Sequence, residues 1–164
     1  MARRSRAVLF LATLAIVASL VVLASSGLDA GGVDGSRVTV TVVDDNGTQL
    51  TTVEARVANT SRERYVGLSE TESLAPGTGM LFVHPSVGTH AYVMRNMSFP
   101  LDMVFADASG RITTIHHASV PPADVDRLHR YRGRGKYVLE VPRGWANETG
   151  VAVGDRLQVP PSVT

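Results

Sequence analysis

Cysteine is absent from all 164 residues. Its absence excludes a disulfide framework, a thiolate metal site, a catalytic thiol and a lipidated cysteine anchor, so an external location has to rest on other features. An excess of one charge is missing too. With Arg3, Arg4 and Arg6 set aside, 13 Lys and Arg stand against 15 Asp and Glu, or about −2 over residues 27–164. A near-neutral body argues against nucleic acid as the main partner, because phosphate binding draws on a basic excess. No Gly-x-Ser-x-Gly elbow locates a nucleophile. Gly77 and Gly79 lack the six-residue dinucleotide pattern and read as a turn. The length suits one domain able to bury a core without covalent staples.

What is present begins with an apolar run. Ala7 to Ala24 reads AVLFLATLAIVASLVVLA, uncharged, directly after the three arginines. It has no polar stripe at helical period, so it reads as a membrane-inserted helix near the minimum spanning length and not as a core helix. Positive charge before it and none just after predicts a cytoplasmic N-terminus, a single-pass anchor over residues 7–24 and everything beyond outside the cell membrane. Cleavage after Val22-Leu23-Ala24 would instead release a secreted domain. The expected organisation is an anchor or signal segment at 1–24, a Gly/Ser/Asp-rich tether at 25–36 and a folded domain at 37–164. All four asparagines open Asn-x-Ser/Thr triplets, at Asn46, Asn59, Asn96 and Asn147. Glycosylation at such triplets needs export and surface exposure.

The folded part alternates β-branched and polar residues. Arg37–Val43 and Gln49–Ala58 flank Asp45-Asn46-Gly47 and read as a hairpin. Thr60 or Ser61 can cap a helix of two turns at most through Leu68, with Glu63 in its first turn. Short apolar runs follow at 80–83, 91–94, 101–106, 111–116, 137–141 and 156–159. Asp107 to Gly110 closes a second hairpin, and Arg143 to Gly150 reads as one helical turn ending at a glycine. The expected class is mainly β: a compact sandwich or irregular barrel of about eight short strands, with one or two short helices and the N-terminal transmembrane helix in front.

Two carboxylates stand among apolar neighbours. Leu101, Met103 and Phe105 form one strand face, and Asp102 shares the other with Val104 and Ala106. A carboxylate buried there needs a partner, with Arg95, Asn96 or a histidine as candidates. Glu140 sits similarly in Tyr-Val-Leu-Glu-Val-Pro, flanked by Val138 and Val141. Together the two could divide acid and base roles or hold a cation, although structural hydrogen bonding is the plainer reading. His90, His116 and Asp102 form a candidate 2-His-1-carboxylate metal set. His116 and His117 cannot join one ion, because neighbours on a strand face opposite ways. Arg127, Arg130, Arg132, Arg134 and Lys136 form a cationic loop able to meet an anionic envelope component, or simply water. Met80, Met94, Met97 and Met103 read as core filler. No cofactor is expected.

Several segments together resemble the DUF192 family of small conserved proteins: Thr60 with Glu63 and Gly67-Leu68, Gly79-Met80-Leu81-Phe82, His90, Met94-Arg95-Asn96, Pro100-Leu101-Asp102, Phe105, Gly110, Tyr137-Val138-Leu139-Glu140, Gly144 and Val153-Gly154-Asp155. The resemblance covers about residues 54–159 and implies a compact mainly-β fold, often behind a signal peptide or anchor, but no reaction. It marks Met94-Arg95-Asn96 and Pro100-Leu101-Asp102 as the place to look for a groove. Asn46, Asn59 and Asn147 are therefore the better glycosylation candidates. The family often carries tryptophan where this chain has Val93. The expected function is a non-catalytic external domain binding a small polar ligand or envelope component near Met94, Arg95, Asn96, Asp102 and Glu140. The alternatives are a metal-dependent or carboxylate-based hydrolase and an assembly partner of an envelope protein.

Overall fold

The computed structural model describes residues 35–163. It contains β1 (Arg37–Val43), β2 (Gln49–Ala58), α1 (Ser61–Val66), β3 (Thr78–Tyr92), β4 (Leu101–Ala106), β5 (Ile112–Ala118), β6 (Tyr131–Pro142), α2 (Trp145–Thr149), β7 (Arg156–Gln158) and a terminal 3-10 turn over Pro161–Val163. The strands form one seven-stranded sheet in the order β5-β4-β6-β3-β2-β1-β7. All neighbours run antiparallel except β2 and β3, which are parallel because the α1 segment carries the chain across between them.

The sheet curls until its ends meet. Arg111, just ahead of β5, bridges to Arg156 of β7. Leu157 N–H donates to the Gly110 carbonyl at 2.8 Å and Ile112 N–H to the Asp155 carbonyl at 2.8 Å. These contacts partly close the sheet in the manner of an irregular barrel, and sealing an edge removes a row of unpaired backbone groups. The mainly-β expectation therefore holds.

Local chemistry explains the turns. Asp44 accepts from the N–H groups of Asn46 and Thr48 at 2.8 Å each, and Gly47 takes the positive φ of 84° that the β1–β2 turn requires. Asp107 repeats the device between β4 and β5, accepting from Ser109 N–H at 2.8 Å and Arg111 N–H at 3.0 Å. Thr60 and Glu63 form a reciprocal capping box at the start of α1, and Gly67 ends that helix with φ 52°.

Seven strands replace the expected eight because the runs at 80–83 and 91–94 belong to one strand. Pro85 and Gly88 look like turn punctuation but lie in a bulge: from Val83 to Gly88, β3 takes five steps while β6 takes two, from Tyr137 to Gly135. The expected cationic loop is likewise corrected in part. Arg132, Arg134 and Lys136 belong to the paired first half of β6, where Gly133 and Gly135 are buried between them.

Strict alternation along the strands sorts the buried side chains into two sets. The first draws on every strand, from Val40 and Val42 through Leu81, Val104, Ile112 and Leu139 to Leu157, and includes Trp145 and Ala146 of α2. The second holds Met80, Phe82, Met103, Phe105 and Val138 and is covered by Leu68, Met94 and Met97 from the connecting segments. Each large apolar side chain buried in this way contributes about 1.5–3 kcal/mol. The predicted anchor at 1–24 lies outside the described residues. Among the described residues no helix is long and apolar enough to cross a membrane.

The closure of the sheet makes Gly110 sensitive. It has φ +81°, and an added Cβ would lie 2.1 Å from the Leu157 carbonyl oxygen, whereas Gly47, at φ +84°, has nothing within 4 Å. Gly110→Ala is expected to cost about 2–4 kcal/mol and Gly47→Ala about 1 kcal/mol. Urea unfolding of the two variants measures the difference, and equal costs would mean that the β7 contact carries no stability.

Candidate ligand-binding site

The second set of buried side chains is incompletely filled, and the space it leaves is a cavity of about 290 Å3. Three pieces of backbone make it. The β3 bulge carries His84 and His90 around to stack on one another, with ring centroids 3.4 Å apart. The end of α1 presents Arg64 and Tyr65 and then turns at Gly67, where an added Cβ would come within 3.2 Å of Phe82. After β3, Asn96 takes φ 55°, a left-handed turn that a short polar side chain tolerates, and Met94 and Met97 are buried on either side of it. Arg95 lies over the exposed Tyr65 ring, its guanidinium 4.0 Å from the centroid, and also donates to the Tyr65 carbonyl. That pair forms part of the rim.

Glu140 forms the floor. It pairs in register with Met80 of β3 and Met103 of β4 and is 5% exposed. Among the described residues no group donates a hydrogen bond to its carboxyl and no cation pairs with it. Burial pushes this carboxyl up to about 8 from an ordinary 4.5, so that it is largely protonated at neutral pH. His84 moves the other way. Burial, then the neighbouring His90 and the charge of Arg64, hold it down to about 4, leaving a neutral imidazole 2.9 Å from the Tyr92 hydroxyl. Burial and the nearby Glu140 carboxyl push the Tyr92 phenol up, so its hydroxyl stays intact. Arg64 donates to the Val83 carbonyl at 2.9 Å and also to the Asn59 carbonyl, and neither it nor Arg95 has a carboxylate partner among the described residues.

Of the five candidate binding residues, Met94, Arg95 and Glu140 line this cavity. Asn96 is exposed beside it and shapes the turn. Asp102 is elsewhere. It pairs in register with Val141 while Met103 pairs with Glu140, which sends the two carboxylates to opposite faces of the sheet. The pairing of Asp102 and Glu140 as acid and base is therefore corrected by the β4–β6 register together with strand alternation. Asp102 is fully buried, and its partners are His117 Nδ1 at 2.7 Å, Arg143 Nε at 3.5 Å and the N–H groups of Gly144 and Ala146 at 3.1 and 3.0 Å. Gly144 has no side chain with which to cap α2, and the β4 aspartate supplies the missing oxygen. A histidine is thus its partner, and Arg95 and Asn96 are not.

The metal set is corrected for the same reason. His116 pairs with Met103, away from Asp102, and binds the Arg132 carbonyl at 2.7 Å, while His90 binds the Gly135 carbonyl at 3.0 Å. Among the described residues no three His, Cys, Asp or Glu converge to hold a metal ion. Arg64, Tyr65, His84 and Tyr92 are the site residues that sequence reasoning missed, because only the bulge and the parallel crossover bring them together. Val93 does line the cavity, at 38% exposure, so the position where the family often has tryptophan is a rim position.

Residues 41–159 match the family DUF192, described as "Uncharacterized ACR", and the chain belongs to it. A crystal structure of a "putative transcription regulator" from Sinorhizobium meliloti 1021 is similar at 31% identity, with TM-score 0.69, over 78% of this chain and 97% of that one. A protein of unknown function from Novosphingobium aromaticivorans DSM 12444 is similar at 29% identity, with TM-score 0.64, over 75% of this chain and 85% of that one. No curated protein matches the chain.

The two shifted groups give a pH signature. Glu140, raised in the folded state, stabilises the fold below its unfolded value near 4.5 and loses that contribution as pH rises through about 8. His84, lowered when folded, contributes above its unfolded value of 6.5 and loses that contribution as pH falls toward about 4. The opposing slopes offset one another below about pH 6.5, so the fall in stability between about pH 6.5 and 8 belongs to Glu140. Chemical denaturation across this range should show the fall in the native protein and its loss in Glu140→Gln; the same slope in both would refute the assignment.

Proposed function

We propose that this chain is a membrane-anchored, extracytoplasmic DUF192 domain that binds a small polar ligand in the cavity above Glu140 and performs no chemistry on it. The observation carrying the ligand reading is that carboxyl: nearly inaccessible, unpartnered among the described residues, and open to a cavity that also holds Arg64, Arg95 and Tyr92. Among the described residues no fully buried side-chain N or O atom lacks a partner, so the carboxyl oxygens that the protein leaves unbonded reach the cavity itself, where a ligand can supply the hydrogen bonds. The carboxylate-pair hydrolase loses its basis when Asp102 and Glu140 face opposite ways. External placement is supported by the uncharged run at 7–24 behind three arginines and by the exposure of Asn46, Asn59 and Asn147. The regulator description of the Sinorhizobium protein is not carried over, because the body of this chain, near −2, lacks the basic excess that a nucleic-acid partner calls for.

Two measurements test this reading. In ligand-observed NMR of the full chain in detergent, a mixture of small aromatic amines, acids and amides should give binders that are lost in Met97→Trp, which fills the cavity, and weakened in Val93→Trp at the exposed rim. Binders untouched by both substitutions would place the site elsewhere. Protease added to intact cells should remove the folded domain, and complete protection, with cleavage on lysis, would reverse the proposed orientation.

A further inference from the structure

A pocket for a polar molecule can favour an anion, a cation or both at once, and the charged groups around this one are arranged by depth. The deepest polar group is the Glu140 carboxyl, among Met80, Phe82 and Tyr92. The guanidiniums of Arg64 and Arg95 are only half-buried, Arg64 on the Val83 carbonyl and Arg95 beside the exposed Tyr65 ring, and neither is held by a carboxylate among the described residues. An anion-only ligand would leave the buried carboxyl unsatisfied. A cation-only ligand would have to pass two guanidiniums and leave them with carbonyl partners but no counter-charge. A molecule with both charges satisfies both ends.

We infer that the cavity takes a small zwitterion of amino-acid size, with its protonated amine against Glu140 and its acidic group toward Arg64 and Arg95; this inference rests on the ligand-binding reading above. Three features support it. An ammonium brings three donors to a carboxyl that has none, and the neighbouring aromatic rings favour a cation over a neutral donor. The volume of about 290 Å3 lies just below the usual range for small-molecule pockets, about 300–1,000 Å3, which limits the body of the ligand to about one ring. His84 stays neutral at physiological pH, so no imidazolium competes with the amine for the carboxyl.

Binding then moves a proton. The free Glu140 carboxyl is largely protonated at neutral pH, and an arriving ammonium favours the carboxylate, so the proton passes to bulk solvent. The other titratable or charged groups lining the cavity are His84, His90 and Tyr92 on β3, Arg64 and Tyr65 on α1 and Arg95 on the segment after β3, while Leu101 and Met103 of β4 carry no charge.

Isothermal titration of the full chain in detergent separates the cases with three probes that share one ring: L-phenylalanine, phenethylamine and 3-phenylpropionate. L-Phenylalanine should bind at least tenfold more tightly than the other two. In buffers of different ionisation enthalpy at pH 7 it should release a proton, at less than one per site. Glu140→Gln should remove that release and reduce L-phenylalanine to the affinity of 3-phenylpropionate. Arg95→Gln, at the rim, should weaken L-phenylalanine while leaving phenethylamine no weaker, and it keeps the test open if Glu140→Gln folds poorly. The zwitterion is overturned if 3-phenylpropionate binds as tightly as L-phenylalanine, or if none of the three binds while other aromatic molecules still lose binding in Met97→Trp. If no molecule of either set responds to the cavity substitutions, the ligand-binding reading itself fails.

Discussion

The side-chain alternation of β6 sets both the interior of this domain and its cavity. β6 is hydrogen-bonded on both sides, to β3 and to β4, so its residues cannot rotate or slip without breaking two ladders. Tyr137, Leu139 and Val141 consequently go to the interior shared by all seven strands, and Val138 and Glu140 to the other face. The buried carboxyl is thus imposed by register. An acid placed one residue earlier or later would have fallen inside the curl, among Leu81, Val104 and Trp145, with no opening to receive anything.

Much of this was legible from the sequence. Turn chemistry located both hairpins, because Asp44 with Gly47 and Asp107 with Gly110 act over three or four residues and owe nothing to distant contacts. The capping box of α1 and the glycine after α2 are equally local. The two faces of β4 followed from period-two alternation, which placed Asp102 with Val104 and Ala106 and apart from Met103. The family likeness drew attention to residues 94–102 before any geometry was known.

What the sequence hid was long-range. Burial of Asp102 and Glu140 could be inferred from their apolar neighbours, but their faces could not be compared without knowing that Met103, and not Asp102, lies opposite Glu140. The bulge in β3 was concealed because Pro85 and Gly88 carry the same signals as a loop, and the stacked histidines were concealed with it. Arg132, Arg134 and Lys136 looked like loop residues because the glycines between them imply flexibility. Here those glycines reflect space: a Cβ on Gly133 would lie 2.3 Å from the Phe105 ring, and one on Gly135 would lie 2.5 Å from the Ala106 carbonyl oxygen.

The last strand of the domain pairs with the first, Thr41–Val43 against Arg156–Gln158. Few contacts in the fold span more of the chain, and contacts of such long separation form late. A polypeptide emerging vectorially, N-terminus first, therefore presents the free edge of β1 until β7 arrives, and the edge by β5 waits for the same strand. Through that interval the domain is open to strand addition at two unpaired borders, until a three-residue strand docks.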